Sequence, residues 1–245
     1  MTIDSPHGVL EQADFLGRQG RLAFVYLAES PRRVERHQLA EAIWGDSLPD
    51  AWDTALNAIV SKLRRTLSRV GVDASNSLEG SYGCYELRLP AGTWIDLREA
   101  MNSLDFAEGA VVRGDARAAW PAAAVASAIL RRPFLSGEDL PWVEQRRREL
   151  HELEVRTYDT LANAWLQVGN GPTAVAAARR AVALAPYRES VYARLMECHV
   201  AAGDRAEAVR VYTELRDLLS EVMGISPAPE VEHIYLEALG HRRTK

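Results

Sequence analysis

The sequence predicts a mainly α-helical protein in two parts: a winged helix-turn-helix with a small β-wing over residues 1–95, and an all-helical region of tetratricopeptide-like repeats over residues 96–245. Three observations carry this prediction. A short run of alternating residues around Tyr85 is preceded and followed by helical periodicity. The C-terminal part repeats itself with a 34-residue period. Between the glycine stops Gly45 and Gly71 lies an amphipathic helix whose polar face, from Thr54 onward, holds cations and no acid.

The elements follow in order. "GRLAFVYLAE" (20–29) reads as a buried helix. "ERHQLAEAIWG" (35–45) sets Leu39, Ala40, Ile43 and Trp44 at helical spacing and stops at Gly45. The turn "DSLPD" leads into a third helix, with Asp50 expected to cap it and Asp53 to complete a reciprocal cap. In "TALNAIVSKLRRTLSRVG" (54–71), Leu56, Ile59, Val60, Leu63, Leu67 and Val70 share an arc of about 100° and form the core stripe. In "SLEGSYGCYELRLPAG" (77–92), Tyr85, Leu87 and Leu89 face one way and Cys84, Glu86 and Arg88 the other. Gly80 and Gly83 bracket a tight turn there, so a β-hairpin is expected.

From Asp96 onward the pattern is helical and rich in alanine. Tyr158, Leu161, Gly169, Ala174 and Ala181 recur 34 residues later as Tyr192, Leu195, Gly203, Ala208 and Leu215. Glycine at the inter-helix turn and small residues where helices cross make a tetratricopeptide pattern, because helix pairs approach closely only where side chains are short. "RGDARAAWPAAAVASAIL" (113–130) reads as an earlier, degenerate copy with Gly114 at its turn.

Composition narrows the function classes. With 47% hydrophobic and 26% charged residues in 245, the chain is an ordinary soluble globular sequence. No run of about 18 apolar residues offers a membrane span, and "MTIDSPHGVLEQADF" lacks the features of a signal peptide. Cys84 and Cys198 provide neither a disulfide framework nor zinc spacing, so the cytoplasm is the expected compartment. No phosphate-binding loop or nucleophile motif occurs, and no enzyme activity, cofactor or metal is expected. The six histidines are scattered and read as surface or satisfied core. Net charge is -5, with 10 Lys+Arg against 13 Asp+Glu in residues 1–96 and 19 against 21 in the remainder. Any nucleic-acid contact therefore rests on local placement.

The third helix offers that placement. Thr54, Ala58 and Ser61 are short enough to let a backbone lie in a major groove. Asn57, Arg64 and Arg65 reach base edges from there, and Lys62 and Arg69 reach phosphates. A carboxylate on this face would meet a wall bearing one charge per about 1.7 Å. A solvated helix face is the alternative, but such faces ordinarily mix Glu with Lys and Arg to gain i,i+4 pairs. Helix, helix, turn, basic helix and hairpin is the layout of a winged helix-turn-helix.

"LAEAIWGD", "VSKLRR", "GCYELRLP" and "GDRAEAVRVYTELRDLL", followed by "GISPAPE", occur in an order that resembles the bacterial transcriptional activator domain (BTAD) proteins. These include the actinobacterial antibiotic regulatory proteins of the SARP/AfsR type, and the resemblance spans residues 17 to 240 or so. It implies an OmpR-type winged helix and a tetratricopeptide-like domain. It also implies a homodimer that binds direct repeats in double-stranded DNA and assists RNA polymerase as an activator. By position, "VSKLRR" is then the recognition helix, placing Ser61, Lys62, Arg64 and Arg65 at DNA. Thr54 and Asn57 would lie on the same side, and Ser81 and Tyr82 at the wing tip. About sixteen residues precede the first helix, so the opening sheet of the family is expected to be shortened, and the wing tip carries no arginine. Trp44, Trp94 and Trp142 are expected in the core, "GEDL" as a loop, and Arg146–Arg147–Arg148 as a solvated face. Without a GxxxxGK(S/T) loop no ATPase module is expected, nor a receiver domain, which leaves regulation to the repeats. Their groove suits a peptide, a partner helix or a second copy; the sequence identifies no small-molecule or peptide effector. The competing reading is a tetratricopeptide adaptor whose winged helix does not bind DNA, and salt dependence separates the two.

Overall fold

The computed structural model describes residues 2–15, 17–73, 78–81 and 83–240. The chain is mainly helical and divides into two compact units. One is the chain up to Thr93 together with Glu138–Glu144, and the other is Trp94–Gly137 with the residues from Gln145 onward.

The first unit opens with a two-stranded antiparallel hairpin, β1 (Thr2–Ser5) and β2 (Gly8–Glu11). The Ser5 hydroxyl donates to the Val70 carbonyl at 2.9 Å, and the His7 ring occupies the space a Cβ on Gly71 would need. Gly71 (φ +73°) therefore serves both a left-handed turn and this close approach. Helix α1 (Gly17–Glu29) buries Leu22, Ala23, Phe24 and Leu27, with the Phe24 ring 5.0 Å from that of Phe15. The two-residue β3 (Val34–Glu35) leads into α2 (Arg36–Trp44), which starts with a capping box between Glu35 and Gln38 and stops at Gly45, φ +64°.

Helix α3 (Trp52–Ser68) buries Leu56, Ile59, Val60, Leu63 and Leu67 of the predicted stripe, and Thr66 with them; the last member, Val70, is buried just past the helix end. The expected cap from Asp50 does not form: Ala51 is the N-cap, without a side-chain bond, and a turn from the Pro49 carbonyl to the Trp52 N–H starts the helix. The Asp53 carboxylate goes to a guanidinium instead, a charge-assisted bond stronger than one to a neutral N–H. Strands β4 (Leu78–Ser81) and β5 (Cys84–Leu87) form the expected hairpin, and β3 adds to β5 in the order β3-β5-β4. The strand ends at Leu87, so the predicted alternation outruns it by two residues. Leu39, Ile43, Leu56, Leu63, Leu67 and Leu78 are fully buried in one core. Each contributes about 1.5–3 kcal/mol relative to exposure.

Glu138–Glu144 completes this unit; "GEDL" is the expected loop, and it carries a buried carboxylate that the sequence does not announce. Glu138 is 2% exposed. Its carboxylate accepts from Arg18 Nε at 2.7 Å and from Arg21 Nη2 at 2.6 Å. The neighbouring Trp142 donates its indole N–H to the Ala42 carbonyl and meets the Tyr26 ring edge-on. Trp44 packs half-buried against the core. Trp94, also expected inside, is 63% exposed. It follows the turn Pro90–Thr93 and precedes the next helix, so no element presents a face to bury it.

The second unit consists of α4 (Asp96–Val112), α5 (Ala116–Leu130), α6 (Pro141–Val168), α7 (Gly171–Leu184), α8 (Glu189–Ala201), α9 (Arg205–Met223) and α10 (Pro229–Ala238), with the first turn of α6 counted in the other unit. Its sequence period has one physical device behind it. Gly114, Gly169 and Gly203 take φ of +75°, +81° and +82°. The next residues Asp115, Asn170 and Asp204 send their N–H groups back to Ala110, Trp165 and His199 carbonyls, each at 2.9 Å. Their side chains then cap the following helix, accepting from Ala118, Thr173 and Glu207 N–H. One helix is closed and the next opened by a Gly-Asx pair three times. Between the helices the buried faces are short: Ala119, Ala123 and Ala126 on α5, Ala174, Ala178 and Ala181 on α7.

Two further expectations are corrected in this unit. Arg147 does not lie on a solvated face: its guanidinium donates to the carbonyls of Phe134 and of Leu135, a residue with a positive φ of 44°. His199 is buried but not satisfied: it is 4% exposed and its Nε2 has no hydrogen-bond partner among the described residues. Burial pushes its pKa below the ordinary histidine value, helped by the Arg179 cation and opposed by Asp204 and Glu207. Among the described residues no helix is long and apolar enough to cross a membrane, and no three metal-ligating side chains cluster.

Candidate nucleic-acid interface

Helix α3 turns one face to its core and leaves the other open over about 160° of its circumference, taking about 100° per residue. Thr54, Ala58, Ser61 and Arg65 run down the middle of that open face. Lys62 and Arg69 flank it on one side, Asn57, Arg64 and Ser68 on the other. All but Arg64 are exposed. The only acid on the helix, Asp53, is paired with Arg36, so the open face carries no free carboxylate.

The predicted residues divide by what they touch. Thr54, Ser61, Lys62 and Arg65 make no hydrogen bond or ion pair among the described residues. Arg69 pairs with Asp14 at 3.0 Å, with both partners reached by solvent. The Asp14 carboxyl is held below its usual range by the Glu11 backbone N–H, and secondarily by Arg69. Arg64 is turned inward: its Nε and Nη2 donate to the Leu78 carbonyl at 3.1 and 2.8 Å, fastening α3 to β4. Ser81 is placed by its backbone, opposite Cys84 at the hairpin turn. Tyr82 lies outside the described residues.

Asn57 belongs to a cluster that the sequence analysis did not single out. Arg36, the first residue of α2, donates to Asp53, to Asn57 Oδ1 at 3.0 Å and to the Tyr85 hydroxyl, with its guanidinium 5.3 Å from the Tyr85 ring centre. The Tyr85 hydroxyl in turn donates to Asn57 Oδ1 at 3.2 Å. The Arg36 backbone N–H reaches the Gly83 carbonyl in the hairpin turn. Three elements, α2, α3 and β5, thus meet around one cation, and the hairpin turn is tied to the same residue through its backbone. The bond to Asp53 raises the Arg36 pKa further above neutrality, and burial keeps the Tyr85 phenol above its usual value, so the hydroxyl retains its proton. Nothing in the local pattern around Arg36 marks it, because its partners are 17, 21 and 49 residues away. At the base of the hairpin, Arg33 and Arg88 both pair with Glu86 and hold that carboxyl below its normal range, Arg88 more strongly.

The chain is similar to several known proteins. MoaR1, a transcriptional regulatory protein of Mycobacterium tuberculosis, is 29% identical over 207 residues, which is 84% of this chain and 67% of the relative. The regulatory protein AfsR of Streptomyces coelicolor is 28% identical over 217 residues, 89% of this chain and only 21% of that protein. The solved structure of Mycobacterium tuberculosis EmbR in complex with a low affinity phosphopeptide superposes with a TM-score of 0.86 at 22% identity, covering 98% of this chain and 62% of that one. This last likeness is one of fold. The family described as "Bacterial transcriptional activator domain" matches residues 95–239. With more than half of its length so matched, the chain belongs to the bacterial transcriptional activator domain family.

Proposed function

We propose that the protein is a sequence-specific, DNA-binding transcription regulator. In this reading residues 1–95 form an OmpR-type winged helix with α3 in the major groove, and residues 96–245 form a tetratricopeptide-like domain. The observation that carries it is the open face of α3, where Lys62 and Arg65 stand without any partner among the described residues and the helix's one acid is already paired. Unpaired cations beside short polar side chains are what a phosphate-walled groove requires. Arg69 joins them by exchanging Asp14 for a phosphate. Activation through RNA polymerase and a homodimer on direct repeats complete the proposal, supported by the family and by relatives that are named transcriptional regulators.

The test is selection of bound duplexes from a random library, beside a Lys62→Ala/Arg65→Ala variant. Enrichment of two like-oriented motifs that the variant loses supports the reading and supplies the half-site spacing. The net charge of -5 favours the second reading, a protein-binding adaptor. Salt separates them: about four to six neutralised phosphates per protomer give a log K against log salt slope near -4 to -5, and a protein-binding face loses little.

A further inference from the structure

We infer that Asn57 meets the duplex as an oriented hydrogen-bond donor, and so selects a base that shows acceptors in the major groove, guanine or thymine, at its place in the half-site. This rests on the DNA-binding reading and adds to it the base chemistry of one position.

The orientation follows from the partners. A guanidinium has donors only, so the amide atom 3.0 Å from Arg36 Nη2 has to be oxygen. That resolves the O/N ambiguity inherent in an asparagine. The Tyr85 hydroxyl accepts from Arg36, which leaves its own proton for the same oxygen, at 3.2 Å. Both lone pairs of Oδ1 are occupied. The amide NH₂ has no partner among the described residues, and Asn57 is exposed on the same open face as Thr54 and Ser61.

An unconstrained asparagine pairs with adenine by accepting from N6 and donating to N7. With its oxygen held by Arg36 and Tyr85, Asn57 loses the accepting half of that pair. Guanine shows O6 and N7 and thymine shows O4, all acceptors for a bare NH₂. Adenine retains N7 but sets its amine against the donor, and cytosine offers an amine at this edge. Arg36 and Tyr85, neither on the helix that enters the groove, act as positioning residues for base choice.

The experiment measures equilibrium binding to the selected duplex, with every half-site base pair replaced by the three others, for the wild type, Asn57→Ala and Tyr85→Phe. The wild type is expected to prefer guanine or thymine over cytosine by about fivefold or more at one position per half-site. Asn57→Ala flattens that position and leaves the ranking at all others. Tyr85→Phe frees one lone pair of Oδ1, and adenine gains on guanine at the same position. A wild type that stays selective while Asn57→Ala changes no preference overturns the inference and leaves DNA binding standing. So does an Asn57-dependent position that prefers adenine to guanine. Failure of the wild type to select any duplex at low salt overturns both.

Discussion

Removing the Glu138 carboxylate is expected to destabilise the first unit by about 3–5 kcal/mol. The size follows from what each partner does once the carboxylate is gone. The Glu138 side chain is 3% exposed, that of Arg21 19% and that of Arg18 51%. Arg18 turns to water, and its half of the interaction counts for less than about 1 kcal/mol. Arg21 has little such escape: its Nε is already buried with no partner among the described residues, so Glu138→Ala leaves a mostly buried guanidinium uncompensated. Stranding one member of a buried pair accounts for nearly the whole effect. Hydrogen exchange of the α1 and α2 amides, read by mass spectrometry, is the suitable assay, because two compact units need not unfold as one. A loss of this size accelerates their exchange by about two to three and a half orders of magnitude, at about 1.4 kcal/mol per decade. Acceleration of less than about tenfold would refute the reasoning, as would an Arg18→Ala variant as damaging as Glu138→Ala.

Two further predictions concern single side chains. Arg64→Ala leaves the Leu78 carbonyl without its two donors and is expected to cost about 1–3 kcal/mol. The loss should be concentrated in β4, so unchanged exchange at the β4 amides would show that the bond fastens nothing. His199 predicts an acid-side weakness. Its pKa is lowered from 6.5 in the folded chain, so the unfolded chain takes up the proton first. Its share of stability is intact above about pH 6.5 and is lost as pH falls from there toward the lowered folded value. Urea midpoints of wild type and His199→Leu, compared between about pH 5 and 7, should diverge in favour of wild type as pH rises; a constant gap would exclude this account.

Much of the architecture was legible in the sequence, because it depends on spacing. The core stripe of α3, the stop at Gly45 and the hairpin turn before Cys84 each follow from which residues stand three, four or two positions apart. The 34-residue period is legible for the same reason. Its glycine and the capping Asx beside it make their bonds to atoms a few residues away, so the motif carries its own instructions.

The direction in which polar side chains point is another matter. A helical wheel places Arg64, Asn57, Lys62 and Arg65 on one open face. Only the folded chain turns Arg64 to the Leu78 carbonyl, fixes the Asn57 oxygen between Arg36 and Tyr85, and leaves Lys62 and Arg65 without a partner among the described residues. Glu138 is the extreme case, since its partners Arg18 and Arg21 lie 120 and 117 residues away and nothing near "GEDL" announces them. The reason is physical. Periodicity reports which face of an element leaves water, a local property of the chain. Which donor finds which acceptor depends on surfaces brought together from distant segments, where a buried charge or carbonyl takes whatever partner the packing puts within about 3 Å.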